Sequence, residues 1–160
     1  MHSDGNVTSI DYGDEIHFNL PSNVEYYVEV QHRNHLGILT ATARDLSGVP
    51  TLDFTDQWNT PTRYVNAEAQ YQVEPGVMAM YAGNVNNDIM ISYLGFGNDH
   101  GQLLNNILGG NQGSALFNVY SNGDINMDGN VLYLGFGNDV GILLNQVLTG
   151  NQGNVIFRQY

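Results

Sequence analysis

The sequence predicts an α+β fold in which an N-terminal antiparallel, sandwich-like β-sheet packs on a duplicated loop–helix unit. Residues 1–82 contain short segments in which apolar and polar residues alternate, and residues 83–120 and 123–160 repeat one another. The chain has 19 glycines and only 12% charged residues, a composition that favours turns and short strands over long helices. No linker rich in Ser or Pro separates the two parts, so we expect one compact body.

Short strands are predicted in residues 1–82. One of them alternates so that Val24, Tyr26, Val28 and Val30 share a half-buried face. Gly and Pro residues mark the turns between the strands. The predicted strands are Glu15–Leu20, Val24–Arg33, Gly37–Ala41, Thr51–Phe54 and Gly76–Met80.

Residues 83–120 and 123–160 are two copies of one segment, offset throughout by 40 residues. More than half of the positions are identical without a gap, and YLGFGND, LLN and GNQG recur intact. Repeats of this length usually form one supersecondary unit that buries its apolar face against its copy. An apolar helical pattern follows the YLGFGND element, in the second copy at Ile142, Leu143, Leu144, Val147 and Leu148.

The second copy contains Asp124-Ile125-Asn126-Met127-Asp128-Gly129-Asn130-Val131. Oxygen-bearing side chains at loop positions 1, 3 and 5 with glycine at position 6 are typical of the start of an EF-hand-like calcium loop. Calcium is a hard cation that takes six to eight oxygen ligands, and alternate residues of a tight turn can point towards it. Glycine at position 6 permits the bend that lets the Asn130 carbonyl serve at position 7. We expect Val131 to pair with its counterpart Ile91.

The acid that closes the second loop is displaced along the chain. Position 12 of the standard loop is Gly135, whereas Asp139 comes four residues later, directly before the apolar helical pattern. We interpret Leu134–Gly137 as part of an insertion that bulges out before Asp139 returns to the metal. Asn138 is the competing candidate for this role, or it caps the helix.

One calcium loop followed by one helix, given twice, resembles the dockerin-type duplicated half EF-hand. The longer loop and the YxGxGND element are similar to a variant at the C-termini of secreted bacterial surface proteins. The resemblance covers residues 83–160. It implies calcium ligands at Asp124, Asn126, Asp128, Asn130 (carbonyl) and Asp139. It would also imply a pair of helices that bind a partner, such as a surface protein, although that function does not transfer on loop sequence alone.

The first copy departs from the pattern. Asn84 replaces Asp at position 1, which removes one unit of charge, and Ile89 stands where glycine is expected. We therefore expect two calcium sites, of which the first is the weaker. The ligand positions of the first loop are held by Asn84, Asn86, Asp88, Met90 (carbonyl) and Asp99.

The distribution of acids separates a metal loop from an ordinary acidic turn. Every acid between residues 83 and 160 falls on a ligand position: Asp88, Asp99, Asp124, Asp128 and Asp139. Solvated surface charge would also be scattered elsewhere. This favours calcium over the alternative, Asx-rich turns without metal.

Charge and composition exclude several classes of partner. The net charge is -12, with 16 acids against four arginines and no lysine, so the surface repels nucleic-acid phosphates and anionic membranes. The chain has no cysteine and no apolar run long enough to span a bilayer. The absence of lysine and cysteine suits a secreted, extracellular protein at the cell surface, although compositional drift explains it equally well. No signal peptide precedes Asp4, so we expect the numbering to begin at a mature or trimmed end.

The segment His32-Arg33-Asn34-His35-Leu36-Gly37 is similar to a stretch that precedes the loops in the same surface proteins. It has two interpretations, a metal or ligand site and a hydrogen-bonded hairpin corner that supports the calcium loops. Residues three apart on a strand face opposite sides, so His32 and His35 converge only if a turn intervenes.

We expect no enzyme. The sequence has no nucleophile elbow, phosphate loop or zinc motif, and the acids Asp11, Asp14 and Glu15 fit a solvated turn or an extra cation site. One hypothesis is a calcium-binding structural protein that self-assembles into an extracellular filament or surface polymer, with Val155–Tyr160 able to add as a strand to a neighbour. The alternative is a calcium-stabilised, dockerin-like accessory or anchoring module of a larger secreted protein.

Overall fold

The computed structural model describes residues 18–47, 52–56 and 70–158. Within these ranges the fold is α+β, with short antiparallel strand pairs and two short helices. The strands are β1 (Glu25–Tyr26), β2 (Glu29–Val30), β3 (Ile38–Leu39), β4 (Arg44–Asp45), β5 (Tyr71–Glu74), β6 (Val77–Ala79), β7 (Met90–Ser92), β8 (Ala115–Phe117), β9 (Asn130–Leu132) and β10 (Val155–Phe157). The helices are α1 (Asp99–Gln102) and α2 (Asp139–Ile142).

The described residues of the N-terminal part form three strand pairs, β1 with β4, β2 with β3 and β5 with β6. The predicted strand Val24–Arg33 is interrupted because its partner carries extra residues. Tyr26 opposes Arg44 and Glu29 opposes Leu39, so the two residues between them on one side face four on the other. Thr40 lies in this irregularity and holds it, because its N–H donates to the Val28 carbonyl at 3.0 Å while its hydroxyl accepts from the Val28 N–H at 3.1 Å.

The alternation predicted for residues 24–30 is present in its main part. Tyr26, Val28 and Val30 are half-buried and the residues between them are exposed, whereas Val24 is 44% exposed. Residues 52–54 form no strand. The sandwich-like sheet stays a prediction, because residues 48–51 and 57–69 lie outside the described part. The first half of the predicted strand Glu15–Leu20 and the acids Asp11, Asp14 and Glu15 lie outside it as well, and residues 18–20 form no strand.

The strands of residues 83–160 pair crosswise between the two copies. β7, which leaves the first loop, pairs with β10 at the end of the second copy, and β9, which leaves the second loop, pairs with β8 at the end of the first. Ile91 therefore opposes Ile156, and Val131 opposes Leu116. The expected pairing of Ile91 with Val131 is wrong, because each loop strand takes its partner from the end of the other copy.

Each short helix continues into a π-helical turn, Leu103–Ile107 after α1 and Leu143–Val147 after α2. The Leu108 N–H donates to the Leu103 carbonyl at 3.0 Å, and Leu148 bonds to Leu143 in the same way. The wider turn places leucines five residues apart on one face, and all four are buried. The described part of the chain contains no helix long and apolar enough to cross a membrane.

One apolar core joins the two copies and receives a residue from the N-terminal part. Leu36 lies in this core and is 1% exposed. Its N–H donates to the Tyr81 carbonyl at 2.9 Å, and an isolated bridge joins His35 to Ala82. The buried members of the core are Leu36, Val85, Ile91, Leu103, Leu108, Ile125, Val131, Val140, Leu143 and Leu148.

Candidate metal centres

The second loop is folded by bonds from its own backbone to its predicted ligands. The Asn126 Oδ1 accepts from the Asp128 N–H at 3.0 Å, and the Asp128 Oδ1 accepts from the Asn130 N–H at 2.8 Å. The Gly129 N–H donates to the Asp124 Oδ2 at 3.1 Å. Gly129 has a φ of 87°, so glycine at this position supplies the predicted bend. These bonds gather the side chains of positions 1, 3 and 5 around one turn, and Asn130 begins β9.

Asp139 reaches this loop as the sequence predicts. It is 1% exposed, and its two carboxylate oxygens accept from the Ile125 N–H at 2.7 Å and the Leu132 N–H at 2.8 Å. One side chain thus joins the start of the loop to β9. Asn138 takes the alternative role of helix cap, because its Oδ1 accepts from the Gly141 N–H at 2.7 Å.

The carboxyl groups that close the loops have raised pKa values. Burial raises the pKa of Asp139 to about 6, and the nearby charge of Asp124 raises it further. The backbone N–H groups that donate to Asp139 act in the opposite direction and lower this pKa. Burial likewise raises the pKa of Asp99 to about 7, and Asp88 is the neighbouring charge. A buried carboxylate close to a second carboxylate is stabilised by a cation.

Asp124, at position 1 of the second loop, has one paired and one unpaired carboxylate oxygen. Its side chain is 2% exposed, and its Oδ2 lies 2.8 Å from the guanidinium of Arg33. Its Oδ1 is buried and has no hydrogen-bond partner. A buried carboxylate oxygen without a partner is costly, and this oxygen lies on the position-1 side chain of the loop. The residues gathered here offer only oxygen ligands, which is the chemistry that calcium prefers.

A further carbonyl reaches each loop, and sequence reasoning missed it. The Asn126 Nδ2 donates to the Gly137 carbonyl at 3.0 Å, and the Asn86 Nδ2 donates to the Gly97 carbonyl at 2.7 Å. The Leu134–Gly137 insertion therefore bulges outward, as expected, and returns a main-chain oxygen to the loop. The LGFG stretch recurs unchanged in both copies, and this recurrence is the sequence signal that could have indicated the additional carbonyl.

The first loop repeats most of this arrangement. The Asp99 oxygens accept from the Val85 and Ser92 N–H groups at 2.7 and 2.8 Å. The Asn86 Oδ1 accepts from the Asp88 N–H at 3.1 Å. The Asp88 Oδ1 accepts from the N–H of Met90, the first residue of β7, at 2.8 Å.

The first loop differs from the second at position 1. The Asn84 Oδ1 accepts from the Asp88 N–H at 3.1 Å, and its Nδ2 donates to the Asp88 carbonyl at 2.9 Å. Both polar atoms of this side chain are therefore bonded within the loop, unlike those of Asp124. Ile89, at the glycine position, is 57% exposed, and the left-handed residue here is Asn87. The first loop is thus closed by its own amide, and the expectation of a weaker site stays a prediction.

Asn34 connects the two loops. It is fully buried, and its carbonyl accepts from the Gly83 and Asn84 N–H groups at 2.8 and 3.0 Å. Its Nδ2 donates to the Asp124 carbonyl at 2.6 Å and to the Asn122 carbonyl at 3.3 Å. One residue of the N-terminal part thus contacts the first position of both loops. The contacts agree with the interpretation of this segment as a corner that supports the loops.

A turn brings His32 and His35 together. Their Nδ1 atoms lie 2.9 Å apart, and the His35 Nδ1 is also 2.9 Å from the Asn34 Oδ1. Because the Asn34 amide nitrogen faces two carbonyls, its oxygen must accept here, and the His35 Nδ1 therefore carries the proton. Burial, with the charges of His32 and Arg33, lowers the pKa of His35 to about 4.

No group of three or more His, Cys, Asp or Glu side chains is arranged to hold a metal ion in the described residues. The loops combine carboxylates with asparagine amides and main-chain carbonyls, and both oxygens of each closing acid accept from backbone N–H groups. The candidate centres are therefore mixed oxygen sites.

Comparisons with known proteins find no relative of this chain. No family model matches the chain, and neither the curated proteins nor the solved structures give a match. The dockerin-like resemblance accordingly stays a prediction.

Proposed function

We propose that this chain is an extracellular calcium-binding structural protein, and that residues 83–160 form a duplicated calcium-loop–helix unit. The observation that carries the proposal is the buried Asp124 Oδ1, which has no partner and belongs to the loop that also holds Asn126, Asp128 and Asp139. A calcium ion would supply the positive charge that this oxygen and the buried Asp139 carboxylate require.

The two sites differ in strength under this proposal. The ligand positions of the second loop hold three carboxylates in the sequence, Asp124, Asp128 and Asp139, which the described structure does not gather into one group, whereas those of the first loop hold two, Asp88 and Asp99. Fewer ligand charges lower the affinity for calcium. The Asn84 amide would also have to give up its bond to the Asp88 carbonyl before it could turn towards an ion. We therefore assign the tighter binding to the second loop.

The residues of the chain couple an ion to the fold. Asp139 joins the N–H groups of Ile125 and Leu132, so it links the loop entry, the loop strand β9 and helix α2. Arg33 holds one oxygen of Asp124 and leaves the other for a ligand. An ion bound here would stabilise the folded state by mass action, because the unfolded chain lacks the assembled site.

Calorimetric titration of the intact chain with calcium tests the proposal. We expect two binding events of unequal affinity, and Asp139→Asn should remove the tighter one while Asp99→Asn removes the weaker. Thermal denaturation with and without EGTA provides a second readout. No binding heat at millimolar calcium, together with equal melting temperatures in both buffers, would overturn the proposal.

We further propose that the chain self-assembles into a filament or surface polymer. A net charge of -12 opposes association of identical chains, so bound calcium would lower a barrier to assembly. Negative-stain microscopy of the purified chain with calcium should show fibres that EGTA disperses. Chains that remain monomeric in calcium at high concentration would contradict this part of the proposal.

A second candidate function, a calcium-stabilised accessory or anchoring module, is favoured by a different observation. Phe96 and Phe136, at equivalent positions of the two copies, are fully exposed, and Leu94 and Leu134 beside them are mostly exposed. Rings held at the tips of two glycine turns contribute nothing to the core and could anchor the chain to a partner with apolar pockets. A monomer that binds calcium and forms no fibres would favour this function.

A further inference from the structure

The last described strand, β10, forms its strand pairing with the opposite copy. β10 pairs with β7 over Val155–Phe157, and the Arg158 N–H extends the pairing with a bond to the Ile89 carbonyl at 2.8 Å. Residues 93–154 separate these two strands, whereas only residues 118–129 separate β8 from β9. The pair formed by β8 and β9 is thus local in the chain, and the pair formed by β7 and β10 is not.

The turn that leads into β10 is strained. Thr149 has a φ of 55°, in the left-handed region, and a β-branched residue is disfavoured there. The equivalent residue of the first copy is Gly109, with a φ of 67°. The two turns have the same shape, and only the second places a side chain with a branched Cβ in it. Bonds from the Asn154 Nδ2 to the Thr149 Oγ1 and the Leu148 carbonyl, both 3.0 Å, hold it closed.

We propose that β10 is exchanged between chains, so that β10 of one molecule pairs with β7 of a second copy. This inference rests on the proposed self-assembly and specifies its surface. Exchange rebuilds the same contacts between chains, including Ile156 opposite Ile91, and it releases the strain at Thr149 when the turn opens. Short hinges under strain favour exchange of this kind. When each chain gives its strand to one neighbour and accepts a strand from another, the assembly is open-ended, whereas reciprocal exchange between two chains would close a dimer.

Calcium would affect this assembly through β7, the strand that accepts β10. The Met90 N–H donates to the Asp88 Oδ1, and the Ser92 N–H donates to the Asp99 Oδ2, both at 2.8 Å. The acids of the first loop thus fix both ends of β7. An ion in that loop would order β7 as an acceptor for a strand from another chain.

Paired cysteines test the exchange, because the chain has no cysteine of its own. Ser92 and Val155 are directly opposite. Hydrogen-bonded pairs alternate along antiparallel strands, and the Arg158–Ile89 pair is bonded, so the Ser92–Val155 pair is one of the closer, non-bonded pairs. The variant with Ser92→Cys and Val155→Cys is oxidised in calcium at low and at high protein concentration and separated on a non-reducing denaturing gel. We expect monomers at low concentration and a ladder of linked chains at high concentration.

Matched variants separate hinge strain from general destabilisation. Thr149→Gly, added to the double-cysteine variant, removes a β-branched residue from the left-handed region and so removes the strain of the closed turn. The protein concentration needed for the ladder should therefore rise by about ten-fold. Gly109→Thr places the same residue in the first copy and should lower the melting temperature without extending the ladder. Linked monomers alone at every concentration would overturn the inference. Equal ladders with and without Thr149→Gly would exclude the hinge as its cause.

A second measurement applies if the cysteine pair fails to fold. A fluorescent peptide of residues 151–158 is added to the wild-type chain in calcium, where its anisotropy should rise and the fibres should shorten as it occupies free β7. Absence of peptide binding, with fibres unchanged, would contradict the exchange. Calcium titration of the same samples keeps the two proposals apart. Calcium binding without exchange overturns only the inference, whereas absence of calcium binding overturns the proposed function.

Discussion

Asp128→Asn provides the sharpest test of the proposed calcium site in the second loop. Asp128 is exposed, and its bonds lie inside the loop, from the Asn130 N–H to Oδ1 and from the Asn126 Nδ2 to Oδ2. Asparagine keeps the first acceptor and removes the charge. In EGTA we therefore expect a loss of less than about 1 kcal/mol in the free energy of unfolding, the usual value of one exposed hydrogen bond.

In calcium the same substitution should cost more. The loop would keep two of its three carboxylates, and we take the loss of one ligand charge as an affinity decrease of about ten- to a hundred-fold. At excess calcium this removes about 1.4–2.8 kcal/mol of ligand stabilisation. For a chain of this size the melting temperature should fall by about 3–10 °C.

Thermal denaturation in calcium and in EGTA measures both quantities on one sample. Asp88→Asn is the matched control, because it makes the same change at the same position of the first loop and should give a smaller calcium-dependent loss. An equal decrease in the two buffers would show that Asp128 contributes to the turn and not to an ion. The proposed calcium site in the second loop would then be wrong.

Three further predictions address the residues around the loops. Asn34→Ala removes the buried amide that joins both loops and should lower the unfolding free energy in urea by about 2–3 kcal/mol, with or without calcium; a loss below about 1 kcal/mol would contradict the connection. His35→Asn keeps an N–H donor and removes the titration. Burial lowers the folded pKa of His35 from 6.5 to about 4, so between pH 6.5 and pH 4 the unfolded chain binds more protons than the folded chain. The stability of the wild type relative to the variant should therefore fall as the pH drops through this range, by at most about 3 kcal/mol. Parallel pH profiles of the two proteins would refute this. Phe96→Ser with Phe136→Ser should leave the melting temperature within about 2 °C and abolish any docking, whereas a larger decrease would mean that the rings pack.

The sequence predicted the features that depend on local spacing. The offset of 40 residues placed Asp139 and Asp99 in the same role, and both prove to be buried and bonded to the two ends of their loops. Glycine at position 129 correctly indicated the bend. The apolar pattern predicted one helix in each copy, although the π-helical turn, which brings Leu103 and Leu108 to one face, does not follow from a period of 3.6 residues.

Long-range pairing could not be predicted in the same way. The expected pairing of Ile91 with Val131 treated the loops as neighbours, but four β-branched or leucine-containing strands of similar composition offer several equivalent pairings. Which one forms depends on how the helices and the segment around Asn34 fill the space between the copies. The segment around Asn34 was recognised by resemblance, but its sequence did not indicate that Asn34 bonds to both loops, because these bonds join residues about 50 to 90 positions away.

Crosswise pairing changes what counts as a folding unit. β9 leaves the second loop and is paired with β8, so residues 123–160 alone would leave Val131 without Leu116 and expose one face of the loop strand. Asn34 adds a bond from outside the repeats to the first position of each loop. Neither loop is therefore complete within its own copy. An ion that ordered one loop would also order a strand that the other copy needs, so binding at the two proposed sites would be coupled through the strand pairing.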